Sequence, residues 1–271
     1  MAALLTFALA LGGCSDSSAP IDDVVVQGST TVLPIAEEAA QQFNEQNDDV
    51  NVLVSGMGSS AGIEGAASGT ADIGTSSRDL KDDEEALGLY MIVIAHDGIA
   101  VIVHPDNPVS QLSTTQLRGI FAGEITNWKQ VGGTDRPIVL INRDEASGTR
   151  EAFSKMVMGD TKFDNGAVVL PGTGQVREVV TRTPGAIGYI SVGFVEPRFI
   201  KSQVKALIID AIHPTEANVA NGTYPISRDL YFLTLGEPEG PEARFIEYVL
   251  SPAVQNGPVV EAGFVPAAGG E

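Results

Sequence analysis

Past its first twenty residues the chain alternates short apolar runs with longer amphipathic stretches. Val24 to Gln27 reads as a strand, and Thr31 to Gln46 repeats Ile35, Ala39, Ala40 and Phe43 at helical spacing, with Pro34 in the first turn, where its missing N–H costs nothing. Val50 to Val54 predicts a second strand, Ala61 to Ser68 a short helix, and Asp72 to Thr75 a third strand. Strand and helix in alternation specify an α/β fold built on largely parallel sheets.

The run Met91 to Val103, broken only by His96-Asp97-Gly98, predicts a crossing into a second lobe, and His104-Pro105-Asp106-Asn107-Pro108 stops it. A helix over Thr114 to Phe121 follows, then a turn at Asn127-Trp128 that packs Trp128 inside the second lobe. Ile138 to Ile141 reads as a strand, Glu151 to Met158 and Gln175 to Arg182 as helices, and Ile187 to Ser191 and Ala206 to Ile209 as strands. Tyr231 to Leu235 predicts the return strand, because the helical stretch Glu239 to Leu250 has no other lobe to pack on. The expected organisation is a discontinuous first lobe, 21–102 with 232–271, and a second lobe, 103–231. The two crossing strands would form a hinge.

Composition narrows the partners. With 35 acidic against 16 basic residues in 271, the formal net charge is -19, which excludes long tracks of nucleic-acid phosphate as a partner. A small anion remains possible, since exposed charges are screened beyond about 8 Å at physiological salt and a dry pocket is not. The cost of the acidic skin falls on the rate of capture.

The opening segment is apolar from Ala2 to Leu11 and ends at the single cysteine, Cys14, followed by Ser15-Asp16-Ser17-Ser18. It is too short to span a bilayer, and one cysteine permits no internal disulfide. Leu11-Gly12-Gly13-Cys14 resembles a lipobox, so residues 1–20 are expected to be an export signal and linker with Cys14 as lipid anchor, although no Lys or Arg precedes Arg78. No transmembrane span is expected after it.

The candidate chemistry sits where strands end. Asn142-Arg143-Asp144-Glu145-Ala146-Ser147-Gly148-Thr149-Arg150 joins a strand to a helix and offers two hydroxyls, a close backbone approach at Gly148 and the guanidinium of Arg143. A Ser or Thr ahead of a helix is ordinarily an N-cap. The same chemistry recurs, however, at Gly28-Ser29-Thr30-Thr31, at Gly58-Ser59-Ser60-Ala61-Gly62 and at Thr75-Ser76-Ser77-Arg78. In open α/β sheets such loops, beyond the carboxyl ends of the strands, are where ligands bind.

Enzyme readings find little support. Ala146-Ser147-Gly148 lacks the glycine two residues before the serine of a nucleophile elbow, so no catalytic residue is assigned. His96, His104 and His213 show no metal-ligand spacing, and no metal or cofactor is expected. His104 and His213, each before a proline, read as turn residues, and Asp82-Asp83-Glu84-Glu85 reads as a solvated helix start.

Taken together, Gly28 to Thr31, Gly58 to Gly62, Ala71 to Arg78, Gly123-Glu124-Ile125-Thr126-Asn127-Trp128, Arg143 to Thr149 and Pro184 to Tyr189 resemble the phosphate-binding proteins of phosphate ABC transporters, from about Val24 to Val265. The resemblance implies a two-lobed periplasmic-binding-protein-like fold and a monomer. It implies a phosphate held between the lobes by Thr30 and the Thr31 N–H, Ser59 and Ser77 on one side and Arg143, Ser147, Gly148 and Thr149 on the other. Ser29, Ser60 and Ser76 would support the loops, Glu145 would orient Arg143, and membrane permease subunits would be the protein partner. Many members of that family carry an aspartate where this chain has Ser77, to accept the proton that phosphate keeps and sulfate lacks. The alternatives are therefore a receptor for another tetrahedral oxyanion and a phosphate-sensing lipoprotein. Arg78 is either a second positive group at the site or a surface ion pair.

Overall fold

The computed structural model describes residues 21–195 and 203–267. Its first strand, β1 (Asp22–Gly28), buries Val24, Val26 and Gly28 in alternation, the period of a strand with one face on a core. The chain continues through α1 (Leu33–Asn44), β2 (Val50–Gly56), α2 (Ser59–Ser68), β3 (Ile73–Ser76) and the long β4 (Leu89–Val103). Next come β5 (Gln111–Leu112), α3 (Thr114–Phe121), β6 (Val139–Arg143), α4 (Gly148–Phe153), β7 (Val168–Leu170), α5 (Thr173–Arg182) and β8 (Ala186–Ser191). The last elements are β9 (Lys205–Ala206), β10 (Ile208–Ile209), α6 (Glu216–Ala220), β11 (Ser227–Leu235), α7 (Gly240–Leu250), α8 (Pro252–Val254) and β12 (Val265–Pro266).

The main sheet runs β2-β1-β3-β11-β4-β8-β6-β7. At one end β1 is parallel to β2 and β3, and at the other β6 is parallel to β7 and β8. Between them stand the two crossing strands, antiparallel to each other and to their neighbours. β4 pairs with β11 from Leu89 to Gly98 and with β8 from Ile99 to Val103, so one strand belongs to both halves. This is the two-lobed α/β architecture, with the parallel pairing of the main sheet confined to its outer strands and a separate parallel pair formed by β5 and β10.

Each half has its own core. Ile35, Ala39 and Phe43 of α1 pack on Val24 and Val26, and α7 closes this core, with Phe245 edge-on to Phe43 at 5.4 Å between centroids. In the other half Phe153 stacks on Tyr189 at 4.2 Å, Phe121 lies beside both, and Trp128 is buried with Nε1 donating to the Gly185 carbonyl at 2.9 Å. Val176 and Val180 of α5 cover the opposite face of β8. The change of core falls between Ala95 and Ile99 on β4 and between Ile226 and Leu230 at the start of β11, a few residues ahead of each boundary read from sequence. An apolar run reads the same whichever core it enters.

Four other local expectations differ. The strand read over Ala206 to Ile209 is split into β9, paired with β4, and β10, paired with β5. The return strand begins at Ser227, because Ser227-Arg228-Asp229 pairs in register despite its polarity. The helix expected over Glu151 to Met158 is α4 followed by a wider π turn, Ser154–Met158. Asp82 and Asp83 lie in an exposed turn that leads to a single 3-10 turn, Glu85–Leu87, with Glu84 turned inward.

Candidate anion site between the lobes

On the first lobe the loop after β1 is packed to backbone contact. Gly28 holds φ at +140°, and a Cβ there would stand 2.3 Å from the Thr75 carbonyl oxygen, so only glycine fits. Ser29 is internal support, its Oγ accepting from the N–H groups of Thr31 (3.2 Å) and Val32 (3.4 Å). The Thr31 N–H, expected to face the ligand, is thus engaged in its own loop, and it is the Thr31 side chain that reaches across the cleft. Ser59 opens α2, where its Oγ accepts from the Ser77 N–H at 3.1 Å and lies 3.2 Å from Ser77 Oγ. Ser76 is spent within its turn, donating to the Arg78 carbonyl at 2.7 Å.

On the second lobe Arg143 ends β6 and is 2% exposed. It donates to the carbonyls of Leu170 (3.2 Å) and Pro171 (2.7 Å), to Thr173 Oγ1 (3.2 Å) and, across the cleft, to Thr30 Oγ1 (3.4 Å). All four acceptors are neutral. Among the described residues no carboxylate forms an ion pair with it. Burial pushes the guanidinium pKa down, the negative charge of Asp144 opposes this and the charge of Arg228 adds to it. An arginine does not give up its proton in a protein, so it remains a buried cation that an anion would stabilise.

The two sides meet at hydroxyls. Thr31 Oγ1 is 3.2 Å from Thr149 Oγ1 and 3.4 Å from Thr173 Oγ1, and Thr30 Oγ1 is 3.1 Å from Thr173 Oγ1. Gly148 lies against Ser59 and Ser77, and the Ser60 N–H donates to the Ala146 carbonyl at 3.1 Å. Ser147 is buried, but its Oγ caps α4 by accepting from the Arg150 N–H at 3.2 Å. Hydroxyls that both donate and accept, set around one guanidinium, suit a small oxyanion with acceptors in several directions.

A second guanidinium touches the same cluster. Arg228, on β11, donates through Nη2 to Thr31 Oγ1 at 3.4 Å and through Nη1 to the Ser77 carbonyl at 3.0 Å. Its Nε and Nη2 also bind Asp97 Oδ2, on β4, at 3.0 and 2.8 Å, and Ser191 Oγ donates to Asp97 Oδ1 at 2.7 Å. Burial raises the Asp97 pKa and lowers that of Arg228, each shift opposed by the partner's charge.

Residues 15–253 match the family model described as the PBP superfamily domain. A phosphate-binding protein PstS of Bacillus subtilis is 32% identical over 98% of this chain and 91% of its own length, and that of Borreliella burgdorferi is 32% identical over 89% of each. The chain belongs to the PstS family of phosphate-binding proteins. Among solved PstS-like structures, a phosphate ABC transporter substrate-binding protein from Clostridium perfringens with bound phosphate superposes with TM-score 0.85 and 36% identity, over 91% of this chain and all of that one. An ABC-type phosphate transport receptor from Vibrio cholerae gives 0.74 and 34%, over 89% and 99%.

Within this family member the residues expected at the site gather around the cleft, with two exceptions. Glu145 is exposed, and Arg143 is held by Leu170, Pro171, Thr173 and Thr30, so the arginine is oriented by carbonyls and hydroxyls. Of its two expected roles Arg78 takes the ion pair, but buried and not at the surface. It is buried, with Nη1 and Nη2 on Glu84 at 2.6 and 2.8 Å and Nη2 3.4 Å from Ser60 Oγ, and so braces the loops from behind. Cys14 lies outside the described residues. Among the described residues no helix is long and apolar enough to cross a membrane, and no cluster of His, Cys, Asp and Glu could hold a metal.

Thr173, Arg228 and Asp97 were not among the expected site residues. Asp97 carried a readable signal, since a carboxylate inside an apolar run must be paired to be buried, which requires a cation on a neighbouring strand. Thr173 carried less, because Pro171-Gly172-Thr173-Gly174 reads as any loop. A groove of about 890 Å³ beside Arg78, Lys81, His96, Lys155 and Asp229 is a different feature. Its lysines and histidine already have acidic partners, Lys81 with Glu151 at 3.6 Å, Lys155 with Asp79 at 3.2 Å and His96 with Asp229 at 2.6 Å.

Proposed function

We propose that this PstS-family chain is an exported receptor that binds inorganic phosphate between its lobes and delivers it to the permease subunits of an ABC importer. The observation that carries the reading is the meeting of hydroxyls from both lobes, Thr31 with Thr149 at 3.2 Å, under a guanidinium with no carboxylate partner among the described residues. The bound phosphate of the C. perfringens relative and the names of the others support the ligand.

The ligand docks on Thr30, Thr31, Ser59 and Ser77 of the open form. Bending at β4 and β11 then brings Arg143, Ser147, Gly148, Thr149 and Thr173 over it. Closure is driven by contacts available only when both lobes engage the anion. Micromolar binding requires about 8 kcal/mol, which several charge-assisted bonds of about 1.5–3 kcal/mol each supply after ordering costs. The chain acts as a monomer, anchored through a lipid on Cys14 to the outer face of the cytoplasmic membrane, and no covalent step on phosphate is involved.

Calorimetric titration of a chain lacking residues 1–20, stripped of ligand, with phosphate and then sulfate tests this. Phosphate heat alone supports a phosphate receptor. Comparable heats make it a general oxyanion receptor, a reading favoured by the neutral Ser77 beside Ser59. Heat from neither ligand rejects the site.

A further inference from the structure

We propose that the buried Asp97–Arg228 pair, which joins the two crossing strands, is the specificity element of the site, with Asp97 trimming the positive charge that Arg228 presents to the anion. The inference rests on the phosphate reading above and deepens it.

Position is the first argument. Asp97 and Arg228 are cross-strand partners on β4 and β11, with side chains 0% and 4% exposed. Arg228 leaves the strand ladder toward the anion loops, where it holds the Ser77 carbonyl and reaches the Thr31 hydroxyl. Thr31 Oγ1 is 3.4 Å from Thr173 Oγ1, which itself accepts from Arg143. Two buried guanidiniums therefore flank one cluster of hydroxyls, one from each end. Among the described residues Arg143 binds only neutral groups, whereas Arg228 is tied to a carboxylate.

Charge is the second. The hydroxyls that line the cleft distinguish anions poorly by charge, and Ser77 places no carboxylate on the third loop. The charge of Asp97, one side chain back from the ligand, is buried and little screened by salt. An anion in the cleft feels Arg228 with Asp97 behind it, and the carboxylate costs a doubly charged anion about twice what it costs a singly charged one. Near neutral pH phosphate can enter with one negative charge or two, whereas sulfate has only the doubly charged form. The trimmed arginine favours the ligand able to keep a proton.

A plain structural ion pair predicts otherwise, because damage to it would weaken both ligands alike. The test is therefore the ratio of sulfate to phosphate dissociation constants, measured by calorimetry at neutral pH, with thermal unfolding recorded alongside. In Asp97→Asn the amide keeps its shape and Arg228 keeps its charge, so sulfate should gain and the ratio should fall about tenfold or more, the effect of one uncompensated charge a few ångströms from the ligand. Arg228→Lys leaves the charge unchanged, so it should keep the ratio within about threefold while weakening both ligands. An unchanged ratio in folded Asp97→Asn overturns the proposal, and so does a tenfold change in Arg228→Lys, even if the Asn variant fails to fold. A wild-type chain that binds neither ligand rejects the phosphate reading itself, before any variant is compared.

Discussion

Gly148 on α4 stands against Ser59 on α2 so closely that a Cβ at Gly148 would lie 2.3 Å from Ser59 Oγ and 2.8 Å from Ser77 Oγ. The contact exists only while the lobes are together. Gly148→Ala should therefore act on closure and leave each lobe's fold alone. Overpacking of this kind costs about 1–3 kcal/mol, which corresponds to phosphate binding weaker by roughly fivefold to a hundredfold. Titration calorimetry reads the affinity, and the melting temperature of the ligand-free protein should stay within a few degrees. Wild-type affinity in the variant would show that the lobes do not close to this distance on the ligand.

Arg143 and Arg78 are both buried and separate cleanly by partner. Arg143→Ala removes a cation bonded, among the described residues, only to neutral groups, so phosphate affinity should fall by about 2–4 kcal/mol, roughly thirtyfold to a thousandfold. Arg78→Ala removes a brace that Glu84 already neutralises, and its main effect should be on stability. Small and equal losses of affinity in the two variants would count against the assigned site.

Glu84 provides a pH-dependent test. Burial alone would raise its pKa, but hydrogen bonds from Arg78 and the Lys81 N–H outweigh that, and the folded value lies below the usual 4.5. A depressed carboxyl contributes stability that is present above pH 4.5 and is lost as pH falls through the folded value. Glu84→Gln should cost about 3 kcal/mol at neutral pH, because it leaves Arg78 without its counter-charge. Urea unfolding at several pH values should show the gap between variant and wild type closing in acid. A gap that stays constant with pH would break the link to this pair.

Among the described residues two ion pairs cross between the lobes at the surface, Lys155 with Asp79 and Lys81 with Glu151. Both are exposed to solvent and salt. Lys155→Ala should change phosphate affinity by less than about threefold at physiological ionic strength. A larger loss, shrinking as salt is added, would assign these pairs a part in holding the lobes together.

Much of the site was legible because anion loops are local. Gly28 to Thr31, Ser59, Ser77 and Arg143 to Thr149 each lie at or just past the end of a strand and can be recognised within a few residues. Glu145 illustrates the limit of such reading. It sits two residues from Arg143, yet the chain turns its side chain to solvent while carbonyls from Leu170 and Pro171 take the guanidinium. Arg78 is a second case, since its place beside Ser77 left a ligand contact and a surface ion pair both open, and the fold buries it against Glu84.

By itself the sequence determined the alternation of strand and helix, the two crossings between lobes and the hydroxyl-bearing loops, because periodicity and turn chemistry act over short stretches. Tertiary structure alone decided which groups face one another across the cleft. Thr31 and Thr149 are 118 residues apart, and Asp97 and Arg228 are 131 apart. Their contacts depend on the register between β4 and β11 and on the approach of the lobes. Long-range packing sets both, and no local pattern records either.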